Sequence, residues 1–201
     1  LEFRRVLFRS KKKITLKAKA VARPFETDDN ATVIYDEAFY KGGQLRVIIN
    51  KPFKENKMPA MLFIPGYTCS SIDDLPNNHP YKRIVDAYVD AGYVTLRIEK
   101  SGLGDSKNTP PCESCDLLDE IENFEAGIKK LKSLPYVGTN KIIIVGHSMG
   151  GIIAPAISAK HQVAGVVVYG TTAKSWFEYQ IEMYRVQNAL AGMNPIEVEK
   201  S

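Results

Sequence analysis

Residues 142–157 read IIIVGHSMGGIIAPAI, and this stretch carries the clearest structural signal in the chain. The apolar run before Gly146 predicts a short strand, and the apolar segment after Gly151 predicts a helix. Between them lies the pattern G-x-S-x-G around Ser148. A nucleophilic serine needs such a tight turn, and the helix N-terminus favours developing negative charge. We interpret the motif as a nucleophile elbow; the alternative is a glycine-rich turn whose serine only caps the helix.

The rest of the chain alternates apolar runs with amphipathic segments. Two runs rich in β-branched and aromatic residues flank a Gly-Gly turn and predict a β-hairpin over 31–40 and 45–50. Apolar runs predict buried strands at 61–64, 93–98, 141–145 and 163–169, and helical periodicity predicts helices at 81–91, 117–134 and 150–160. Such alternation indicates an α/β fold, a mostly parallel sheet with helices on both faces, made mixed by the antiparallel hairpin.

The pattern changes after Thr171. Residues 176–190 predict a helix with apolar and aromatic side chains around much of its circumference, so we expect more than one face to meet protein or ligand. Gly192 would end this helix. Asn194 and Pro195, followed by Glu197, predict the start of another helix.

Composition is that of an ordinary globular domain, with 44% hydrophobic and 25% charged residues among 201. The length suits one domain, and no apolar run reaches the length of a membrane span. The net charge of +4 is mild. The basic residues near the N-terminus lack the interleaved aromatic residues of a nucleic-acid surface, so we expect no nucleic-acid partner.

The first ten residues, LEFRRVLFRS, match the translation of a sequencing adapter residue for residue, and the chain does not begin with Met. We interpret residues 1–10 as a foreign scar and residues 11–30 as an N-terminal extension. The scar carries three arginines and one glutamate, so the net charge of +4 becomes +2 without it. An absent leader therefore says nothing about the compartment.

Three cysteines are present, at Cys69, Cys112 and Cys115. The spacing Cys112-x-x-Cys115 occurs in metal sites and in redox motifs. A zinc site needs four ligands, and the sequence has no second such pair and no paired histidines, which disfavours a metal. Two interpretations remain: the cysteines are plain thiols, or Cys112 and Cys115 form a loop disulfide in an oxidising compartment.

The elbow and the strand–helix order resemble the α/β-hydrolase family over residues 31–192. Pro65-Gly66-Tyr67 follows the third strand, where family members commonly carry His-Gly before an oxyanion-hole residue, with Pro65 here in place of His. By that match Tyr67 would donate its backbone N–H to an oxyanion. The second donor would be the N–H of Met149, directly after the serine.

A second loop supports the same resemblance. Residues 99–106, EKSGLGDS, resemble the family's D-x-R-G-x-G-x-S loop, with Glu99 in place of the acid. The resemblance implies structural support beside the site, whereas the alternative is a glycine-rich turn that only shapes the sheet edge. Within the family, the chain looks most similar to bacterial serine hydrolases described as esterases or serine-aminopeptidase-like enzymes.

The base that a serine nucleophile needs is harder to find. An imidazole must activate the hydroxyl, and a carboxylate must orient the imidazole. The family's chain order is Ser, acid, His, yet after Ser148 there is no Asp, and the only His is His161. A helix over 150–160 is about 16 Å long, so His161 at its far end should not reach the serine. His147 is expected to point elsewhere, and His79 to lie in a polar loop.

We therefore expect a fragment whose triad acid and His lie downstream. Residues 31–171 would be the hydrolase core, and 172–201 the beginning of a cap after the sixth strand. The aromatic faces of the cap would line an acyl or leaving-group pocket; the alternative is an amphipathic helix packed on the sheet.

The resemblance implies a serine hydrolase that cleaves an ester, thioester or amide through an acyl-enzyme on Ser148. Its substrate would be a small-molecule or short-peptide acyl compound, with no cofactor and no metal. Acyl transfer by the same serine and a non-catalytic binding protein are the alternatives. The sequence leaves open the compartment, bacterial cytoplasm or periplasm, and the oligomeric state. The residues expected to support the elbow are Gly66, Gly146, His147, Gly150 and Gly151.

Overall fold

A computed structural model describes residues 24–200, together with the backbone of two strands nearer the N-terminus. The strands are β1 (Glu2–Arg9), β2 (Lys12–Lys19), β3 (Ala31–Tyr40), β4 (Gly43–Pro52), β5 (Met58–Ile64), β6 (Val94–Ile98), β7 (Val137–His147) and β8 (Gly165–Tyr169). The α-helices are α1 (Pro80–Asp90), α2 (Leu117–Ser133), α3 (Gly150–Lys160), α4 (Trp176–Leu190) and α5 (Pro195–Lys200). Every helix and strand predicted between residues 31 and 200 is present.

Six of the strands form one mixed sheet in the order β3-β4-β6-β5-β7-β8. The hairpin β3–β4 is antiparallel and joins β6 antiparallel, whereas β6, β5, β7 and β8 run parallel. This confirms the predicted α/β fold. Strands β1 and β2, which the sequence analysis did not predict, pair with each other in a separate two-stranded antiparallel sheet.

Helices cover both faces of the sheet, which explains why β5 is apolar at consecutive positions. Leu62 and Ile64 belong to a core cluster that includes residues of α2 and α3. Their neighbours Met61 and Phe63 belong to a second cluster with Val85 of α1. Since successive side chains of a strand point to opposite faces, a strand buried on both faces must be apolar throughout.

Strand β8 corrects one prediction. Residues 163–169 were expected to form a buried strand, but four successive residues of β8 are exposed, by between 36% and 47%. The strand lies at the end of the sheet beside β7, and among the described residues no further strand pairs with its outer edge. Apolar sequence predicts a tendency to be buried; it does not specify which neighbour covers the strand.

Side-chain caps begin several of the helices, and one of these caps was predicted from the sequence. Asp116 with Asp119 and Ser175 with Glu178 form capping boxes at α2 and α4. Asn194 and Glu197 exchange the same pair of bonds at α5, which confirms the predicted start there. Helix α4 ends where Gly192 takes a φ of +91°, a conformation that glycine adopts without strain. None of the helices in residues 24–200 is long and apolar enough to cross a bilayer.

Candidate active site

Ser148 occupies a strained turn between β7 and α3. Its φ is +54°, in the left-handed region that non-glycine residues rarely adopt. Two backbone bonds hold the turn: Ser148 N–H donates to the carbonyl of Tyr169 at 3.1 Å, and Gly151 N–H donates to the carbonyl of Ser148 at 2.9 Å. Such strain costs about 1–3 kcal/mol and persists only where surrounding structure imposes it, which is common at functional sites.

The flanking glycines are required by close backbone packing. A Cβ on Gly146 would lie 2.2 Å from the carbonyl oxygen of Gly150. A Cβ on Gly150 would lie 2.2 Å from the carbonyl oxygen of Ile64, at the end of β5. A Cβ on Gly151 would lie 2.6 Å from the Cβ of Thr171. The elbow is therefore sterically closed to side chains at all three positions, as the sequence pattern predicts.

The predicted oxyanion loop lies directly against the serine. A Cβ on Gly66 would be 3.4 Å from Cβ of Ser148 and 3.6 Å from its Oγ, so the loop backbone approaches the hydroxyl. Tyr67 follows; it is 61% exposed, and its ring centroid lies 6.3 Å from that of Trp176 on α4, with the two rings edge-to-face. Met149 is the N-cap residue of α3 and is half-buried.

A buried network holds the distal part of this loop. The Glu99 carboxylate accepts from the hydroxyl of Ser71 and from the N–H of Ile72 at 3.4 Å. The Arg97 guanidinium donates to the carbonyl of Ile72 at 3.0 Å. The loop after β6 thus supports the loop after β5, which is the structural part that the resemblance implied for Glu99.

Arg97 is itself anchored by Glu26, which lies in the segment that precedes β3. The guanidinium donates to both carboxylate oxygens of Glu26, at 2.9 and 2.7 Å, and both side chains are at most 5% exposed. Burial opposes ionisation of Glu26, but the bonds and charge of Arg97 outweigh it and lower the pKa. Sequence reasoning missed this pair. Its only signal was an arginine inside the apolar strand Val94–Ile98.

The cysteine pairing differs from the sequence prediction. Cys69 is bonded to Cys112, with their Cα atoms 5.9 Å apart, and Cys115 is a free, half-buried thiol. Both alternatives for Cys112 and Cys115, plain thiols or a bond between the two, were therefore wrong for Cys112. The reason is tertiary: β5 and β6 are parallel neighbours, so the loops at their C-terminal ends meet. Residues 24–200 contain no cluster of three or more metal-ligating side chains.

The three histidines all have partners other than the serine. The hydroxyl of Tyr81 lies 2.7 Å from Nδ1 of His147, whose pKa is lowered by burial. His161 is the C-cap of α3 and its Nε2 lies 3.0 Å from a carboxylate oxygen of Glu125. These contacts confirm that His147 points elsewhere and that His161 is a helix-end residue.

His79 is the N-cap residue of α1, where its Nδ1 accepts from the N–H of Tyr81 at 3.1 Å. No hydrogen bond joins the Ser148 hydroxyl to a histidine within residues 24–200. The described part of the chain therefore places the Ser148 hydroxyl beside a backbone loop but assembles no serine–histidine pair.

Two cavities adjoin the elbow. A cavity of about 10 Å³ is lined by Ser148 and Met149 together with Trp176 and Tyr179 of α4. A larger cavity has a volume of about 380 Å³, and its walls include Pro65, Leu75, His79, Tyr81, His147 and Tyr169. No residue of α4 is buried, so the helix is not packed into the sheet among the described residues. Trp176 and Tyr179, near its start, instead line the small cavity together with Ser148.

Known proteins share this architecture. A family model described as "Alpha/beta hydrolase family" matches residues 61–196. The structure is similar to the hypothetical protein PA2218 from Pseudomonas aeruginosa, with a TM-score of 0.61, 18% identity, and coverage of 84% of this chain and 57% of that one. No curated protein matches the sequence.

Two esterases also have similar structures. Est1E from Butyrivibrio proteoclasticus, solved with ferulic acid bound, is 24% identical, with a TM-score of 0.51, 62% of this chain covered and 47% of that one. The esterase domain of a Rhodothermus marinus protein is 20% identical, with a TM-score of 0.53, 72% of this chain covered and 54% of that one. The chain thus spans about half the length of these proteins.

Structural similarity at such low sequence identity shows that the fold is shared. The family model also matches more than half of the chain. The match includes the whole G-x-S-x-G elbow and the Gly66 loop that approaches Ser148. On this evidence, the chain belongs to the α/β-hydrolase family.

Proposed function

We propose that Ser148 is the nucleophile of a serine hydrolase that cleaves an ester, thioester or amide through an acyl-enzyme. The observation that carries this proposal is the strained Ser148, at a φ of +54°, in contact range of the Gly66 backbone. A turn that served only to cap a helix would need no such strain, since N-cap residues adopt ordinary extended conformations.

The N–H groups of Tyr67 and Met149 would bind the oxyanion that forms when Ser148 attacks a carbonyl carbon. Removal of one such donor in other enzymes costs about 2.7–4 kcal/mol of transition-state stabilisation. Met149 begins α3, so its N–H belongs to the positive end of the helix dipole. Gly66 supports the arrangement by letting the loop backbone pass beside the serine.

The base and the acid of the triad would come from sequence downstream of residue 201. Two observations support this: the described histidines all have partners other than Ser148, and the chain spans about half the length of its structural relatives. Helix α4 would then begin a cap, with Trp176 and Tyr179 beside the nucleophile. Esterases among the structural relatives support an ester as the substrate class.

A fluorophosphonate probe tests the nucleophile in the longer gene product. We expect labelling at Ser148, mapped by peptide mass spectrometry, and its loss in Ser148→Ala. Ser70→Ala, which removes a hydroxyl from the wall of the larger cavity, is the matched control and should keep the label. Labelling that survives Ser148→Ala would overturn the assignment.

The chain of residues 1–201 supplies a second test. Without an imidazole beside Ser148 we expect no measurable ester hydrolysis, because a general base contributes about 10²–10⁴-fold. Measurable esterase activity that Ser148→Ala abolishes would refute the downstream base. Product analysis with alcohol and amine acceptors separates hydrolysis from acyl transfer, which uses the same acyl-enzyme.

A further inference from the structure

The disulfide lies beside the proposed oxyanion donor. Cys69 is two residues after Tyr67, and its bond to Cys112 ties the loop after β5 to the loop after β6. Beyond Cys69, the same loop is held by Glu99 and Arg97 through Ser71 and Ile72. Two separate restraints therefore act on the loop: a covalent one near Tyr67, and a hydrogen-bonded one from Ser71 onward.

A free thiol lies one turn away from the buried end of this disulfide. Cys112 begins a short 3₁₀ turn, and the N–H of Cys115 donates to the carbonyl of Cys112 at 3.1 Å. A turn closed in this way keeps its end Cα atoms within about 7 Å, and disulfides need about 4.4–6.8 Å. Cys112 is 6% exposed and Cys115 is half-buried, whereas Cys69 is exposed.

We propose that Cys115 displaces Cys69 from Cys112 by thiol–disulfide exchange, and that this releases the Tyr67 loop. The Cys115 thiol loses its proton to solvent, and its thiolate attacks Sγ of Cys112. The Cys112–Cys115 bond forms as the Cys69–Cys112 bond breaks, and the Cys69 thiolate takes a proton from solvent. One disulfide replaces another, so no outside oxidant or reductant is consumed.

Release would affect only part of the loop. Segment 66–70 loses its covalent restraint, whereas Ser71 and Ile72 stay bonded to Glu99 and Arg97. The Tyr67 N–H is in the segment that loosens. The consequence for catalysis rests on the proposed function, since it requires that Tyr67 stabilise an oxyanion on Ser148; the exchange itself does not.

The groups around Cys115 favour a slow exchange at neutral pH. Burial raises the pKa of the Cys115 thiol, and the nearby carboxylates of Asp119 and Glu120 raise it further. A hydrogen bond from Ser101 and the charge of Lys41 act in the opposite direction but do not cancel the shift. Since only the thiolate attacks, the exchange rate should rise roughly tenfold per pH unit until the thiol is ionised.

The exchange is tested on residues 1–201 without reductant. The protein is held at pH 9 for increasing times, acidified to stop exchange, and labelled with a maleimide; peptide mapping then locates the label. We expect label on Cys115 at the start and a growing share on Cys69, accompanied by a Cys112–Cys115 peptide. The share on Cys69 should not depend on protein concentration. The proposal is overturned if Cys69 stays unlabelled at every time, or if its labelling rises with concentration.

Cys115→Ser is the control, because it keeps the Cys69–Cys112 bond and removes the attacking thiol. Its Cys69 should stay unlabelled, and the buried Gly66 amide, which donates to the hydroxyl of Tyr81, should exchange at the wild-type rate. In Cys69→Ser the Gly66 amide should exchange faster, while that of Ile72 is unchanged. Equal exchange at Gly66 in the two variants would overturn the claim that the disulfide restrains the loop.

The longer gene product links the exchange to the site. Cys69→Ser should lower the rate of fluorophosphonate labelling, and Cys115→Ser should not. Absence of label in the wild-type protein would refute the proposed nucleophile, but it would not affect the disulfide exchange measured by peptide mapping. Equal labelling rates in wild type and Cys69→Ser would refute the proposal that the disulfide controls the reactivity of Ser148, but they would not contradict Ser148 as the nucleophile.

Discussion

The hydroxyl of Tyr81 lies 2.7 Å from Nδ1 of His147, the last residue of β7. The same hydroxyl accepts a long bond, 3.5 Å, from the N–H of Gly66 in the loop after β5. The histidine next to Ser148 is thereby turned toward α1. Its part is to join β7 to α1 and the loop, which leaves the serine without a base from its own strand.

Tyr81→Phe tests this relationship. The change leaves Nδ1 of His147 without its partner in a half-buried site, so we expect a loss of about 0.5–1.5 kcal/mol in the free energy of unfolding. Tyr88→Phe is the matched control on the same helix, since its hydroxyl has no hydrogen-bond partner among residues 24–200. Urea unfolding gives the free energy of unfolding of both variants. Equal losses of this free energy in Tyr81→Phe and Tyr88→Phe would contradict the role of Tyr81.

Gly150→Ala should disrupt the elbow. The new methyl group would overlap the carbonyl oxygen of Ile64, which belongs to backbone and cannot rotate away. We expect a loss of about 2–3 kcal/mol in the free energy of unfolding, and loss of Ser148 labelling in the longer protein. Gly138→Ala lies at the other end of β7, where the nearest atoms are 3.6 Å away, and should leave stability unchanged. A stable, fully labelled Gly150→Ala protein would show that the elbow does not need glycine there.

Arg97→Met should destabilise the fold more than Tyr81→Phe or Gly150→Ala does. It leaves the buried Glu26 carboxylate without its cation, which typically costs about 3–5 kcal/mol. The double variant Glu26→Gln with Arg97→Met should lose less than the sum of the single losses, because the two side chains interact directly. Glu199→Gln removes an exposed ion pair with Arg185 and should change stability by less than about 0.5 kcal/mol. Additive losses at Glu26 and Arg97 in denaturant titrations would contradict the pairing.

The pH dependence of stability should report Glu125. Hydrogen bonds from His161 and Lys129 lower the pKa of its carboxyl to about 2, from an ordinary value of 4.5. A lowered carboxyl pKa stabilises the fold above the unfolded value, and this stabilisation is lost as the pH falls through the folded value. Glu125→Gln should therefore be less stable than wild type at pH 7, with a difference that shrinks from about pH 4.5 toward pH 2.

The stabilities of Glu125→Gln and wild type are compared through their unfolding midpoints across this pH range. Glu55→Gln removes an exposed carboxylate that has no ion-pair partner among the described residues, and controls for the loss of one negative charge. A constant difference between Glu125→Gln and wild type down to pH 2 would show that the Glu125 bonds do not depend on its ionisation.

His161→Gln should leave the reactivity of the proposed nucleophile, Ser148, unchanged. His161 ends α3, at the opposite end of the helix from Ser148, and is bonded to Glu125. We expect the rate of fluorophosphonate labelling in the longer protein to stay within about twofold, whereas a general base would contribute about 10²–10⁴-fold. A hundredfold loss of labelling in a folded variant would make His161 the base and refute the downstream histidine.

Local patterns were sufficient for the order of the elements between residues 31 and 200 and for the turn around Ser148. The β-branched run before Gly146 and the helical periodicity of residues 150–160 act over a few residues, and the observed α3 has the predicted bounds. The spacing of the elbow glycines was visible in the chain, although Gly150 and Gly151 pack against the distant residues Ile64 and Thr171. The same holds for the Asn194 cap, whose partner Glu197 is three residues away.

Relationships between distant segments were decided by the tertiary structure. Cys69 and Cys112 are 43 residues apart, and only the parallel pairing of β5 with β6 brings their loops together. Glu26 and Arg97 are 71 residues apart in the sequence and meet only in the folded chain. Strand β8 is exposed because it lies at the end of the sheet. Periodicity and spacing report interactions between near neighbours along the chain, whereas these contacts depend on which strands pair and in which order, and no local pattern contains that information.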